Sequence, residues 1–206
     1  MNFITIPSEI ERRSMEIIAP YLKEYHLSEE EIKVYSRIIH ASGDPEYAPI
    51  IKIHQDAISK AKAALLNGAD IYTDVEMVRT GINKKRLAEY GGQVHCLIAD
   101  PEVAKKAKEE GITRSMAAVR SFGKALNGSI VAIGNAPTAL FEILHLMRQE
   151  EIYPALIIGV PVGFVGAAES KEHLMETSPV PYITVRGNKG GSPIAAAITN
   201  AILYML

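Results

Sequence analysis

One cysteine, no tryptophan and four phenylalanines in 206 residues withhold the raw material of several protein classes. A lone thiol closes no disulfide within the chain and builds no cysteine metal site. Cys96 sits in the apolar run VHCLIA, where an inert buried thiol is expected. That usage suits a reducing compartment, and a cytoplasmic location is expected. No apolar run approaches the roughly 18 residues of a membrane span, and MNFITIPSEIERRS lacks the basic start and apolar centre of a signal peptide. Charge of one sign is missing too. The 22 basic and 24 acidic residues are interspersed, leaving no footprint for nucleic acid or an anionic membrane surface. His26, His40, His54, His95, His145 and His173 include no pair at i and i+4, so no metal site is expected. GNKGGS has the wrong spacing for a phosphate loop, and no dinucleotide fingerprint follows the first strand pattern. Asp74 and Glu76 in TDVEMV are two apart, and residues so spaced on a helix do not face each other, which leaves a paired-carboxylate mechanism unsupported.

What is present is a core. A 48% hydrophobic share over this length predicts one domain spanning residues 1–206. The first part, about 1–66, reads as a helical arm. In SEEEIKVYSRIIHASG, Ser28 and Glu31 have capping-box spacing, Ile32, Tyr35, Ile38 and Ile39 recur with helical period, and Gly43 is a stop signal. QDAISKAKAALLNGA predicts a second helix with Ile58, Ala61 and Leu65 on one face and Gly68 closing it. From about 67 to 206 the apolar runs ADIYT, VHCLIA, SIVAIG, ALIIGV and PYITV alternate with helical stretches. That alternation predicts an α/β fold: a single doubly wound, mainly parallel five-stranded sheet with flanking helices.

Two kinds of candidate site follow. Strand-to-helix junctions in VAIGNAPTAL and VRGNKGGSPIAAA put backbone donors near Gly134, Asn135, Gly190 and Gly191, with Asn135 and Ser192 as potential caps. Tight turns need the same glycines. Helix N-termini beyond the carboxyl ends of strands attract anions, so a phosphate or carboxylate ligand is expected there. The other candidate is YSRIIHASGD. A helix C-terminus favours positive charge, which suits His40 to donate a proton near neutrality, and Arg37 lies one turn earlier on the same face, opposite the Ile32, Tyr35 and Ile39 side. A helix-capping histidine beside a solvated arginine is the alternative. Met77, Val78, Val162, Phe164 and Val165 offer apolar pocket walls.

The motifs ERRSMEII, SRIIHASGD, DVEMVRTGI, TRSMAAV, SIVAIGNAPTAL, IIGVPVGFVGAAESK and RGNKGGSPIAAA together resemble the precorrin-8X methylmutase family, also called cobalt-precorrin-8 methylmutase, of cobalamin biosynthesis. The resemblance implies an isomerase with no cofactor, which moves a methyl group from ring carbon eleven to ring carbon twelve of a corrin precursor by a concerted suprafacial shift. The product would be hydrogenobyrinate, or cobyrinate when cobalt is in the ring. It also implies His40 as proton donor and acceptor, and Ser14, Arg37 and Arg114 as substrate contacts. A homodimer with the tetrapyrrole at the subunit interface is implied as well. Asn83 stands where some members carry a threonine near the ligand, so an amide contact would replace a hydroxyl one. A non-catalytic corrinoid carrier is the alternative function, and a flavin- or nucleotide-binding module a more distant one.

Overall fold

A computed structural model describes residues 4–206 of the chain; residues 1–3 of the expected arm lie outside the described residues. Helix α1 spans Pro7–Ile18 and passes into a 3-10 segment, Ala19–Tyr25. Helix α2, Glu29–Ser42, begins on the capping box: the Glu31 N–H donates to the Ser28 hydroxyl, and the Ser28 N–H donates to the Glu31 carboxylate at 2.8 Å. It ends at Gly43, whose φ of 66° makes a left-handed cap that costs glycine no Cβ clash. After a 3-10 segment, Pro45–Ile50, come β1 (Ile51–Ile53), α3 (Ala57–Leu66), β2 (Ile71–Thr73), α4 (Glu76–Gly81), α5 (Lys84–Ala88) and β3 (Val94–Cys96). The second half holds α6 (Pro101–Glu110), α7 (Arg114–Phe122), β4 (Ile130–Ile133), α8 (Pro137–Gln149), β5 (Leu156–Gly159), α9 (Ala167–Thr177), β6 (Tyr182–Val185) and α10 (Ser192–Leu203).

The sheet has six strands in the order β1-β6-β5-β4-β2-β3, one more than expected. The five expected strands are β2 to β6, and their pairings are all parallel. The sixth is β1, inside the stretch read as a helical arm, and it pairs antiparallel with β6 through Ile51 and Val185. Three residues directly after a proline-containing 3-10 turn carry too little alternation to announce a strand.

Both faces are covered. On one, Ile71, Ile130, Leu156 and Ile183 pack with α2, α3 and α10; on the other, Tyr72, Val131, Ile133 and Ile157 pack with α8 and neighbouring helices. Alternate residues of each short strand point to opposite layers, which is why the strands read as unbroken apolar runs. Ile58, Ala61 and Leu65 of α3 are buried as their spacing predicts. Ile32 departs from expectation: it is 42% exposed and borders a cavity beside the 3-10 segment that follows α1, while Val34, Ile38 and Ile39 fill the core side of α2.

Candidate active site

Because β2 to β6 are parallel, their carboxyl ends share one edge, and strand order reverses between β2 and β4. Ligands favour that crevice in open α/β sheets. Here the chain fills it. Asp74, directly after β2 and 1% exposed, accepts hydrogen bonds from the N–H groups of Gly134 (3.0 Å), Asn135 (2.8 Å) and Ala136 (2.7 Å) at the entrance to α8. Burial pushes its carboxyl up, and the three donors pull against that. The expected free donors after Gly134 are therefore already satisfied internally, the α8 cap position falls on Ala136 rather than Asn135, and the Asn135 side chain is exposed.

The second glycine junction is likewise closed by the protein. The Gly191 N–H donates to the Val160 carbonyl at 2.8 Å, and the Gly190 N–H donates to the Tyr47 hydroxyl at 3.1 Å. A Cβ on Gly190 would stand 2.3 Å from the Val160 oxygen, so close backbone approach requires glycine there. Lys171, fully buried on α9, donates from Nζ to the Lys189 carbonyl at 2.6 Å, and burial pushes its ammonium down to about 8. Lys189 in turn reaches Asp44 at 2.6 Å and Glu46 at 2.8 Å, tying this loop to the segment after α2; its ammonium holds the Asp44 carboxyl below the usual range.

Arg37 and His40 do come together. They edge a recess of about 430 Å³ along the seam of α2 and α10, floored by Pro193, Ala196 and Ala197. His40 is exposed, on the last turn of α2. A second recess, about 370 Å³, meets the first at Ala41 and Pro193 and runs to Val162, Lys189 and Gly190. The combined trough lies beside the strand ends rather than over the reversal point. Val162 is 47% exposed on it, and the same loop carries Phe164 and Val165, 90% and 91% exposed. Met77 is exposed as a pocket wall requires, but Val78 is buried against Gly134 and belongs to the core.

The other expected contacts lie elsewhere. Ser14 is half-buried on α1, its hydroxyl donating to the Ile10 carbonyl. Asn83 caps α5 and spends its amide inside the protein, Oδ1 accepting from the Arg86 N–H and Nδ2 donating to the Tyr204 hydroxyl. Arg114 starts α7, on the opposite face of the sheet from α2, and lines a separate hollow with Ala104 and Lys108. Tyr204, whose ring lies 5.4 Å from the Arg37 guanidinium, carries no signal in the sequence, and Asp74, weighed there only as half of a carboxylate pair, instead holds three backbone N–H groups. Tyr204 stands beyond the last helical repeat and carries no motif. Among the described residues no cluster of His, Cys, Asp and Glu is arranged for a metal ion, and no helix is long and apolar enough to cross a membrane.

A three-layer α/β domain with an apolar trough edged by an arginine and an open histidine defines a small-molecule site suited to an anionic, largely apolar ligand and to proton transfer. The family model for precorrin-8X methylmutase matches residues 9–205, and the chain belongs to that family. It is 45% identical to the cobalt-precorrin-8 methylmutase of Leptospira interrogans over 95% of this chain and 92% of that one. It is 44% identical to the precorrin-8X methylmutase of a Sinorhizobium species over 98% and 96%. The crystal structure of precorrin-8X methylmutase from Thermus thermophilus superposes with a TM-score of 0.86 at 37% identity, covering 95% of this chain and 96% of that one.

Proposed function

We propose that this chain isomerises precorrin-8X or its cobalt form by moving the methyl group from ring carbon eleven to ring carbon twelve, with His40 as the proton donor and acceptor. The observation that carries the role of His40 is its pairing with Arg37 on one recess. The guanidinium takes a carboxylate arm of the substrate, and the open imidazole on the same wall delivers a proton to the conjugated ring, drawing electron density toward it as the methyl migrates. The same nitrogen takes a proton back as the product chromophore forms. No atom is gained or lost, so product and substrate have equal mass. Cobalt, when present, is part of the substrate and is held by the ring nitrogens.

The working unit is a homodimer. His40 and Arg114 line separate hollows on opposite faces of one chain, and Phe164, Val165 and Val162 form an exposed apolar patch of the kind that marks an interaction surface. A second copy brings an Arg114 toward a ring lying over His40 and covers the apolar loop.

The test is anaerobic incubation of purified protein with precorrin-8 and, separately, cobalt-precorrin-8, with NMR of the equal-mass product. Methyl migration with either compound identifies the substrate. A spectral change with the methyl still on carbon eleven would instead mark a carrier that binds without turning over.

A further inference from the structure

Arg37 is not free to choose its orientation. Its Nη2 donates to Glu11 Oε1 at 2.7 Å, across from α1, and its guanidinium lies 5.4 Å from the centre of the Tyr204 ring. Tyr204 is itself braced, since its hydroxyl accepts from Asn83 Nδ2 at 3.2 Å. Asn83 is fixed in turn by its N–H to Asn200 Oδ1 at 2.8 Å, with Asn200 donating back to the Gly81 carbonyl at 2.8 Å. One edge and one face of the guanidinium are therefore committed, while Nε and Nη1 meet no acceptor among the described residues. Arg37 also stands as the wall between the His40 recess and a cavity of about 570 Å³ lined by Met15, Leu22 and Leu27.

We propose that Glu11, Tyr204 and Asn83 are positioning residues for substrate recognition: they clamp Arg37 so that its remaining guanidinium N–H groups are held toward a carboxylate arm of the tetrapyrrole beside His40. This rests on the reading of Arg37 as a carboxylate contact. A long arginine side chain loses conformational freedom on binding, and a clamp removes that cost beforehand. The arrangement also assigns a task to Asn83 in this chain. Its amide reaches Tyr204, so it acts on the ligand through two other side chains.

The experiment is steady-state kinetics with whichever of precorrin-8 and cobalt-precorrin-8 turns over, on single variants and on a double-variant cycle. Arg37→Ala is expected to raise KM by about tenfold or more, the loss of charge-assisted hydrogen bonding to the carboxylate arm. Tyr204→Leu and Glu11→Ala are each expected to raise KM by about three- to tenfold, an effect in KM rather than kcat. Tyr204→Phe, which keeps the ring face but loses the Asn83 brace, recovers part of the loss and shows that the fold tolerates change at the position. In an Arg37→Ala background, Tyr204→Leu adds nothing further, because it acts through a side chain no longer there. A further KM increase in that background would mean general damage to the end of α10 and would overturn the clamp. So would wild-type KM in both Tyr204→Leu and Glu11→Ala while Arg37→Ala is impaired. An unimpaired Arg37→Ala would remove the carboxylate contact itself, a failure that lies with the underlying reading.

Discussion

His40 and Asp74 show how differently two ionisable residues are placed. His40 is exposed on the last helical turn, and its side chain makes no hydrogen bond or ion pair among the described residues. His40→Ala is therefore expected to unfold at the wild-type temperature and to keep product affinity while turnover drops by about 10² to 10⁴, the usual contribution of one positioned proton-transfer group. Turnover within a few-fold of wild type would take His40 out of the mechanism. Asp74 is the reverse case, a buried carboxylate that holds three backbone N–H groups at the reversal point of the sheet. Asp74→Asn keeps the shape but points an amide NH₂ at donors, leaving at least one N–H unpaired. Such a variant is expected to lose about 2 to 4 kcal/mol in urea unfolding, whereas wild-type stability would show that the carboxylate is not the anchor. The place of His40 at a helix end beside Arg37 was legible in the sequence because helix, stop signal and arginine are local. Asp74 was not, because its partners are backbone atoms 60 to 62 residues away and backbone donors leave no mark in a sequence.

At the scale of the element, α2 was readable in its capping box, its terminal Gly43 and three of its four expected apolar positions, Tyr35, Ile38 and Ile39, while Ile32 faces out. Ser28→Ala is expected to cost about 1 kcal/mol in thermal or urea unfolding, since it removes the hydroxyl that accepts from Glu31. Its kcat should stay that of the wild type, because the residue lies three turns from His40. Unread elements are those whose reason lies in a neighbour. Strand β1 exists only because β6 offers an open edge to Ile51–Ile53. The joint between α9 and the loop before α10 depends on Lys171 meeting a carbonyl 18 residues away. That joint has a pH signature. With the Lys171 ammonium pushed down to about 8 from its ordinary 10.5, the unfolded chain binds more protons than the folded one between those values, so stability rises as pH climbs through this window. The slope cannot exceed about 1.4 kcal/mol per pH unit for one group. Opposing it, the Cys96 thiol, raised by burial from 9.0, begins to withdraw stability above that pH, and Tyr35, raised to about 12 from 10.0, does so above 10. Urea unfolding is expected to show wild type gaining about 1 kcal/mol between pH 8 and 9 and Lys171→Met gaining none. An equal gain in both proteins would assign the rise to another group.

For the whole molecule, the alternation of apolar runs with helical stretches was enough to give the layered α/β plan and five of six strands, because burial on both faces imposes that pattern locally. Which distant surfaces form one site was not readable in the same way. The motifs around His40 and Arg114 suggested one binding site, yet the fold sets them on opposite faces of the sheet, in hollows with no lining residue in common. A shared site built from two copies reconciles the two observations, and a two-fold interface makes the consequence countable. Co-expression of His40→Ala with Arg114→Ala chains yields mixed dimers as about half of the population. Each mixed dimer carries both lesions in one site and an intact pair in the other, so activity is expected to recover to about a quarter of wild type although each variant alone is nearly inactive. If the two residues serve a site within a single chain, every site in the mixed dimer carries a lesion and no activity returns. Sedimentation of the same samples separates that outcome from a failure to form dimers, and a monomeric wild type would remove the shared site altogether.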